Sequence, residues 1–178
     1  MQQLWRIHNR GEELAMSEQY NNQEDIQETS GANGEDVSTI ERCLTFESAD
    51  LILYISTKHV IEIINNHSIT TLPLLPPYIK GIINLRGQIL PVMDILQRMG
   101  KTSDSFDPSG KSCIIVLDID SVSLGIIVDS VRQVIDIDLK NVRPIPLKRQ
   151  QKLLNGMVTM EDGSVFMSID CQALCAPY

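Results

Sequence analysis

Residues 76–95 read PPYIKGIINLRGQILPVMDI. Isoleucine, leucine and valine fill the stretch, yet Arg86 stands in its middle with a glycine directly after it. Gly81 and Gly87 bracket IINLR, and glycine at such points permits positive φ or a close backbone approach. Asn84-Leu85-Arg86-Gly87 therefore reads as a turn between two strands, with Arg86 at or near its tip. A guanidinium, always charged, has two places to go here: exposed on the hairpin turn, or partly buried beside a carboxylate. Glu62, the one acid within VIEI (60–63), is the candidate partner in an otherwise apolar strand. Removing one member of a buried pair costs roughly 3–5 kcal/mol, whereas an exposed pair contributes about 0–1 kcal/mol. The sequence leaves both arrangements open.

On either side of this stretch, from Glu41 onward, short apolar runs alternate with turn residues. CLTF (43–46), LILYI (51–55), VIEIINN (60–66), GQILPVM (87–93), SCIIVLDI (112–119), VSLGIIV (122–128), QVIDIDL (133–139), GMVTM (156–160) and SVFMSI (164–169) read as strands. Several alternate apolar and polar residues, and many are β-branched. Breaks at Ser48-Ala49-Asp50, Asp120-Ser121 and Glu161-Asp162-Gly163 suit tight hairpins. Helical pattern is limited to Ser56–His59, Met93–Met99 and Asp170–Leu174, and the proline-rich segments 72–77 and 143–147 are expected to be extended connections. Many short strands with few helices predict an all-β sandwich or barrel.

A weak internal echo refines this. ILYISTKHVIEI (52–63) and IIVDSVRQVIDI (126–137) align without a gap. Two similar small barrels in tandem would produce it, and so would chance likeness between strands rich in valine and isoleucine.

Charge is uneven along the chain. The formal net charge is −8, but residues 1–40 hold two basic and eight acidic side chains, against thirteen and fifteen in residues 41–178. The nearly neutral folded part lacks the basic face that displaces counterions from nucleic acid, and 4% aromatic content gives few stacking platforms. Residues 17–40 are polar and acidic and are expected to be disordered. Residues 1–15 resemble neither tail nor domain, and translation is expected to start at Met16. No apolar run reaches the ~20 residues of a membrane span. The chain is expected to be cytoplasmic, with Cys43, Cys113, Cys171 and Cys175 as reduced thiols.

A reactive constellation is hard to find. PSGKS (108–112) resembles the end of a phosphate-binding loop, but it leads into a strand rather than a helix and lacks the first glycine. Asp118, Asp120, Asp129, Asp136 and Asp138 fall in turns or on solvated strand faces, and His59 and His67 have no partner that the sequence identifies. The expectation is a non-enzymatic protein with no cofactor and no metal.

Taken together, VIEI, PPYIKGIINLRGQILPVMDI and LGIIVDSVRQV (124–134) resemble the CheW-like coupling proteins of bacterial chemotaxis, over about residues 41–175. The resemblance implies two tandem SH3-like five-stranded β-barrels with short helices, behind a disordered acidic tail (1–40). The barrels are expected at about 41–105 and about 111–170 of a CheW-like domain spanning 41–178, with end strands open to sharing. It implies an adaptor joining the cytoplasmic tips of methyl-accepting receptors to the regulatory domain of the histidine kinase CheA. Such a protein is recruited to membrane-bound arrays without inserting in the membrane, and is a monomer when isolated. By motif, Val60, Glu62 and Arg86 fall where the family lines its receptor-binding groove, Gly81, Gly87 and Gly125 match its structural glycines, and Val131 and Val134 lie in the second barrel's matching segment. Tyr54 departs from the small residue usual before the isoleucine that ends the second strand, and LKRQQKLLNG (147–156) is more basic than the family pattern. A paralogue serving another chemosensory array such as surface motility, or part of a larger CheW-containing protein, would carry the same motifs.

Overall fold

The computed structural model describes residues 39–65, 68–102, 112–145 and 153–176. The expected disordered tail up to residue 38, the start site at Met16, His67, most of PSGKS and the basic run 147–152 lie outside the described residues. Among the described residues ten strands form: β1 (Ile40–Ser48), β2 (Leu51–Ser56), β3 (Val60–Asn65), β4 (Ile79–Leu85), β5 (Gln88–Asp94), β6 (Cys113–Ile119), β7 (Val122–Val128), β8 (Ser130–Asp138), β9 (Leu154–Thr159) and β10 (Val165–Ile169). Two short helices, α1 (Ile95–Arg98) and α2 (Cys171–Cys175), follow β5 and β10. Each begins on an aspartate cap: Asp94 accepts from the Leu96 and Gln97 amides, and Asp170 from the Ala173 amide.

The strands make two five-stranded sheets, in the orders β8-β1-β2-β10-β9 and β3-β6-β7-β5-β4. The chain after β3 returns to pair Thr70 with Ile82 of β4, the opposite edge of the same sheet, through two 2.9 Å hydrogen bonds. The chain after β8 does the same at Arg143 with Met157 of β9, at 2.8 and 2.7 Å. Each sheet is thereby rolled and joined edge to edge, which leaves fewer unpaired strand groups.

The two orders correspond strand for strand if β1–β5 are matched with β6–β10, so the chain is a structural repeat. The boundary near residues 105–111 divides the repeats but not the sheets, which corrects the expected barrels at 41–105 and 111–170. The first sheet takes β1 and β2 from one repeat and β8, β9 and β10 from the other; the second takes the complementary set. The ladders β1–β8 and β2–β10 in the first sheet, and β3–β6 and β7–β5 in the second, are the seams of this exchange. Pairing between distant strands is set by side-chain packing, which local sequence does not display.

The ungapped echo is three residues out of structural register, since the hairpin turns at 49–50 and 120–121 correspond. It sets Leu53 against Ile127, yet Leu53 belongs to the core shared by both sheets and Ile127 to the interior of the second sheet alone. Matching Leu53 with Leu124, and so Tyr54 with Gly125, restores equivalent faces, since Leu53 and Leu124 both belong to the shared core. With a side-chain period of two, a slip by any odd number of residues exchanges the faces.

Three apolar clusters result. The largest lies between the sheets and includes Phe46, Leu53, Ile55, Ile95, Ile115, Leu117 and Ile126, all essentially inaccessible to water. Burying each such side chain contributes about 1.5–3 kcal/mol. Smaller clusters fill each sheet's interior, around Ile83, Val92 and Val116 in one and Tyr54, Ile137 and Phe166 in the other.

Candidate functional site

The hairpin joining β4 and β5 pairs Leu85 with Gln88, leaving Arg86 and Gly87 as a two-residue turn. Both have positive φ, +52° and +92°, as a type I′ turn requires. Glycine takes this conformation freely, but arginine does not, and the left-handed region costs a residue with a Cβ roughly 1–2 kcal/mol. The turn projects the Arg86 guanidinium from the tip, where its Nη2 donates to Glu62 Oε2 at 3.0 Å.

Glu62 comes from β3, the far edge of the same sheet. It lies opposite Val116 and shares a face with Ile64, both part of the sheet's interior cluster. The carboxylate thus stands at the rim of that interior, and the hairpin tip folds over to meet it. The Glu62 side chain is 25% exposed and that of Arg86 79%. Of the two arrangements left open by the sequence, the guanidinium adopts the exposed one while still pairing with the carboxylate. An ion pair this exposed is worth about 0–1 kcal/mol, less than the strain of the backbone that presents it. Stability does not explain Arg86.

Exposed apolar side chains lie on the strands that carry the pair. Alternation along β3 turns Ile61 and Ile63 to the opposite face from Glu62, 58% and 41% exposed, and Ile89 beside the hairpin tip is also exposed. Val60 and Val131, from β3 and β8, both pack at the margin of the shared core. Val134 belongs to neither group; it lies on β8 opposite Leu44, half exposed. The glycines hold this framework. A Cβ on Gly81, whose φ is +148°, would run into the Thr70 carbonyl, at the point where the sheet closes. A Cβ on Gly125 would approach Ile114 Cγ2 to 2.8 Å inside the second sheet. Gly87 has open space and is there for its φ.

The other acids are occupied in turns and surface pairs. Asp118 anchors the β6–β7 hairpin, Asp120 accepts from Gln172, Asp129 accepts from the Ala49 amide, Asp136 pairs with Arg42, and Asp138 receives the Lys140 amide. Among the described residues, no three His, Cys, Asp or Glu side chains are grouped to hold a metal ion. Burial pushes the Cys43 and Cys171 thiols up to about 11, which keeps them protonated and poor nucleophiles. No helix among the described residues is long and apolar enough to cross a membrane. The sequence reading placed Asn84 in the turn without giving it a task; its amide oxygen accepts the Gly87 N–H at 2.9 Å.

Residues 42–176 match the CheW-like domain family. The chain is 30% identical over 103 residues to a chemotaxis protein CheW of Rhizobium meliloti, covering 58% of this chain and 65% of that protein. It is 34% identical to a chemotaxis protein CheW of Thermotoga maritima, over 56% of this chain and 67% of the relative. Against Protein FrzA of Myxococcus xanthus the identity is 29%, covering 57% and 62%. The chain therefore spans about two thirds or less of these relatives' length. The crystal structure of the scaffolding protein TtCheW from Thermoanaerobacter tengcongensis superposes with a TM-score of 0.66 at 32% identity, covering 73% of this chain and 88% of that one.

Proposed function

The chain belongs to the CheW-like domain family, and from that premise we propose that it is a non-enzymatic coupling adaptor of bacterial chemotaxis. It joins the cytoplasmic tip of methyl-accepting receptors to the regulatory domain of the kinase CheA, in the cytoplasm and at membrane-bound arrays. The likeness to relatives named chemotaxis protein CheW and to a scaffolding protein supports this reading. Val60, Glu62 and Arg86 line the receptor-binding groove, and Val131 and Val134 belong to the second-barrel segment near it. Gly81, Gly87 and Gly125 hold its backbone.

The observation that carries the groove assignment is Arg86. Its backbone strain exceeds what its exposed pair with Glu62 can return, so the guanidinium is presented for a partner outside the chain. Exposed isoleucines supply affinity and the charge pair supplies register, the usual division of labour at an interface. The likeness to Protein FrzA favours a second reading, in which the same adaptor chemistry serves a chemosensory array other than chemotaxis.

Calorimetric titration with a cytoplasmic receptor fragment from the same organism tests the groove. Glu62→Ala and Arg86→Ala should each weaken binding by more than about fivefold, as for a residue worth over 1 kcal/mol at an interface. Their unfolding midpoints should stay near that of the parent. Wild-type affinity in both variants would remove the groove from this face.

A further inference from the structure

We propose that Asn84 is a positioning residue for Arg86: its side chain locks the turn that aims the guanidinium at Glu62 and at the receptor. This rests on the groove reading above and assigns it a residue that does not itself touch the partner.

Type I′ turns favour asparagine or aspartate before glycine, because these residues tolerate left-handed backbone. Here the asparagine stands two positions before the tip, and arginine occupies the strained site with φ +52°. The Asn84 amide oxygen reaches forward to accept the Gly87 N–H at 2.9 Å, spanning Arg86. That bond fixes the third residue after it and so holds the peptides on both sides of Arg86. Without it, a residue that disfavours φ > 0 is free to relax toward φ < 0, and the guanidinium swings off the rim.

The molecule contains a second example. In the β6–β7 hairpin, Asp120 and Ser121 form the turn with φ +50° and +68°, and Asp118 Oδ1 accepts the Ser121 N–H at 3.2 Å. In both hairpins an Asx side chain two residues before the first left-handed position receives the amide of the second. A carboxylate serves in the β6–β7 case, so the acceptor oxygen, rather than the amide group as such, is the functional element.

The test is a double-mutant cycle on the full chain, titrated with a soluble receptor fragment from the same organism. Asn84→Ala should weaken binding about fivefold, the worth of one hydrogen bond. Asn84→Asp should bind within about twofold of the parent, because it keeps the acceptor. Added to Arg86→Ala, Asn84→Ala should have no further effect, since its influence passes through the guanidinium. An equal loss in both backgrounds, or failure of Asn84→Asp to restore binding, would overturn the assignment. If the parent chain does not bind the fragment, the groove reading fails, and amide exchange still decides the positioning role. Gly87 exchange should quicken in Asn84→Ala and return to the parent rate in Asn84→Asp; an unchanged rate in Asn84→Ala would refute it.

Discussion

Arg86 is held in a conformation that costs roughly 1–2 kcal/mol and receives about 0–1 kcal/mol from Glu62. The chain invests in stability elsewhere, in the buried side chains of its three apolar clusters. Two of them are the thiols of Cys43, in the interior of the first sheet, and Cys171, packed against the shared core. Burial raises Cys43 and Cys171 to about 11 from an ordinary value of 9.0, with the carboxylates of Glu41 and Asp170 adding to the effect. The folded state therefore keeps protons that the unfolded chain releases. This contribution to stability is complete below about pH 9 and is lost as pH rises toward 11. Urea titrations across that window should show stability falling, and the slope should flatten in a Cys43→Ala/Cys171→Ala double variant. An identical slope would contradict the assignment.

At the scale of elements, the ladder between β1 and β8 shows how a defect is repaired. Its register breaks between Leu44 and Phe46. Thr45, fully buried there, donates from Oγ1 to the Gln133 carbonyl at 2.7 Å and accepts the Gln133 amide at 3.2 Å. The side chain stands in for the missing rungs of the bulge. Thr45→Val keeps the shape and removes both bonds, leaving Gln133 backbone groups unsatisfied, so it should cost about 1–3 kcal/mol in urea unfolding. A loss below about 0.5 kcal/mol would mean water replaces the hydroxyl. Most of the strands were legible as short β-branched apolar runs between turn residues; β1, β2, β6 and β7 are buried on both faces, whereas β3 and β9 alternate. β4 lacks a clear alternation: IKGIINL is apolar on both faces, since one lines the sheet interior and the other lies partly buried. Nor could the bulge at Thr45 be read, as it depends on Gln133, far away in sequence. The Glu62–Arg86 pairing was legible as an option only, because whether two edge strands meet is decided by how the sheet rolls.

Over the whole molecule, the exchange of hairpins between repeats ties the two sheets together. Neither sheet can form from one repeat alone, and the largest cluster is lined by both. The helices repeat this link: Arg98, the last residue of α1, donates to the Ala173 and Ala176 carbonyls at the end of α2 while stacking 4.6 Å over the Tyr78 ring. One rigid body carrying two similar barrels suits a coupling role, since separate faces can engage different partners without moving apart. The measurement that tests this most directly is sedimentation of the full chain with a receptor fragment and the kinase regulatory domain, singly and together. A ternary complex, lost on the receptor side alone in Arg86→Ala, is the predicted result. Competition between the two partners for the chain, or binding of neither, would contradict it.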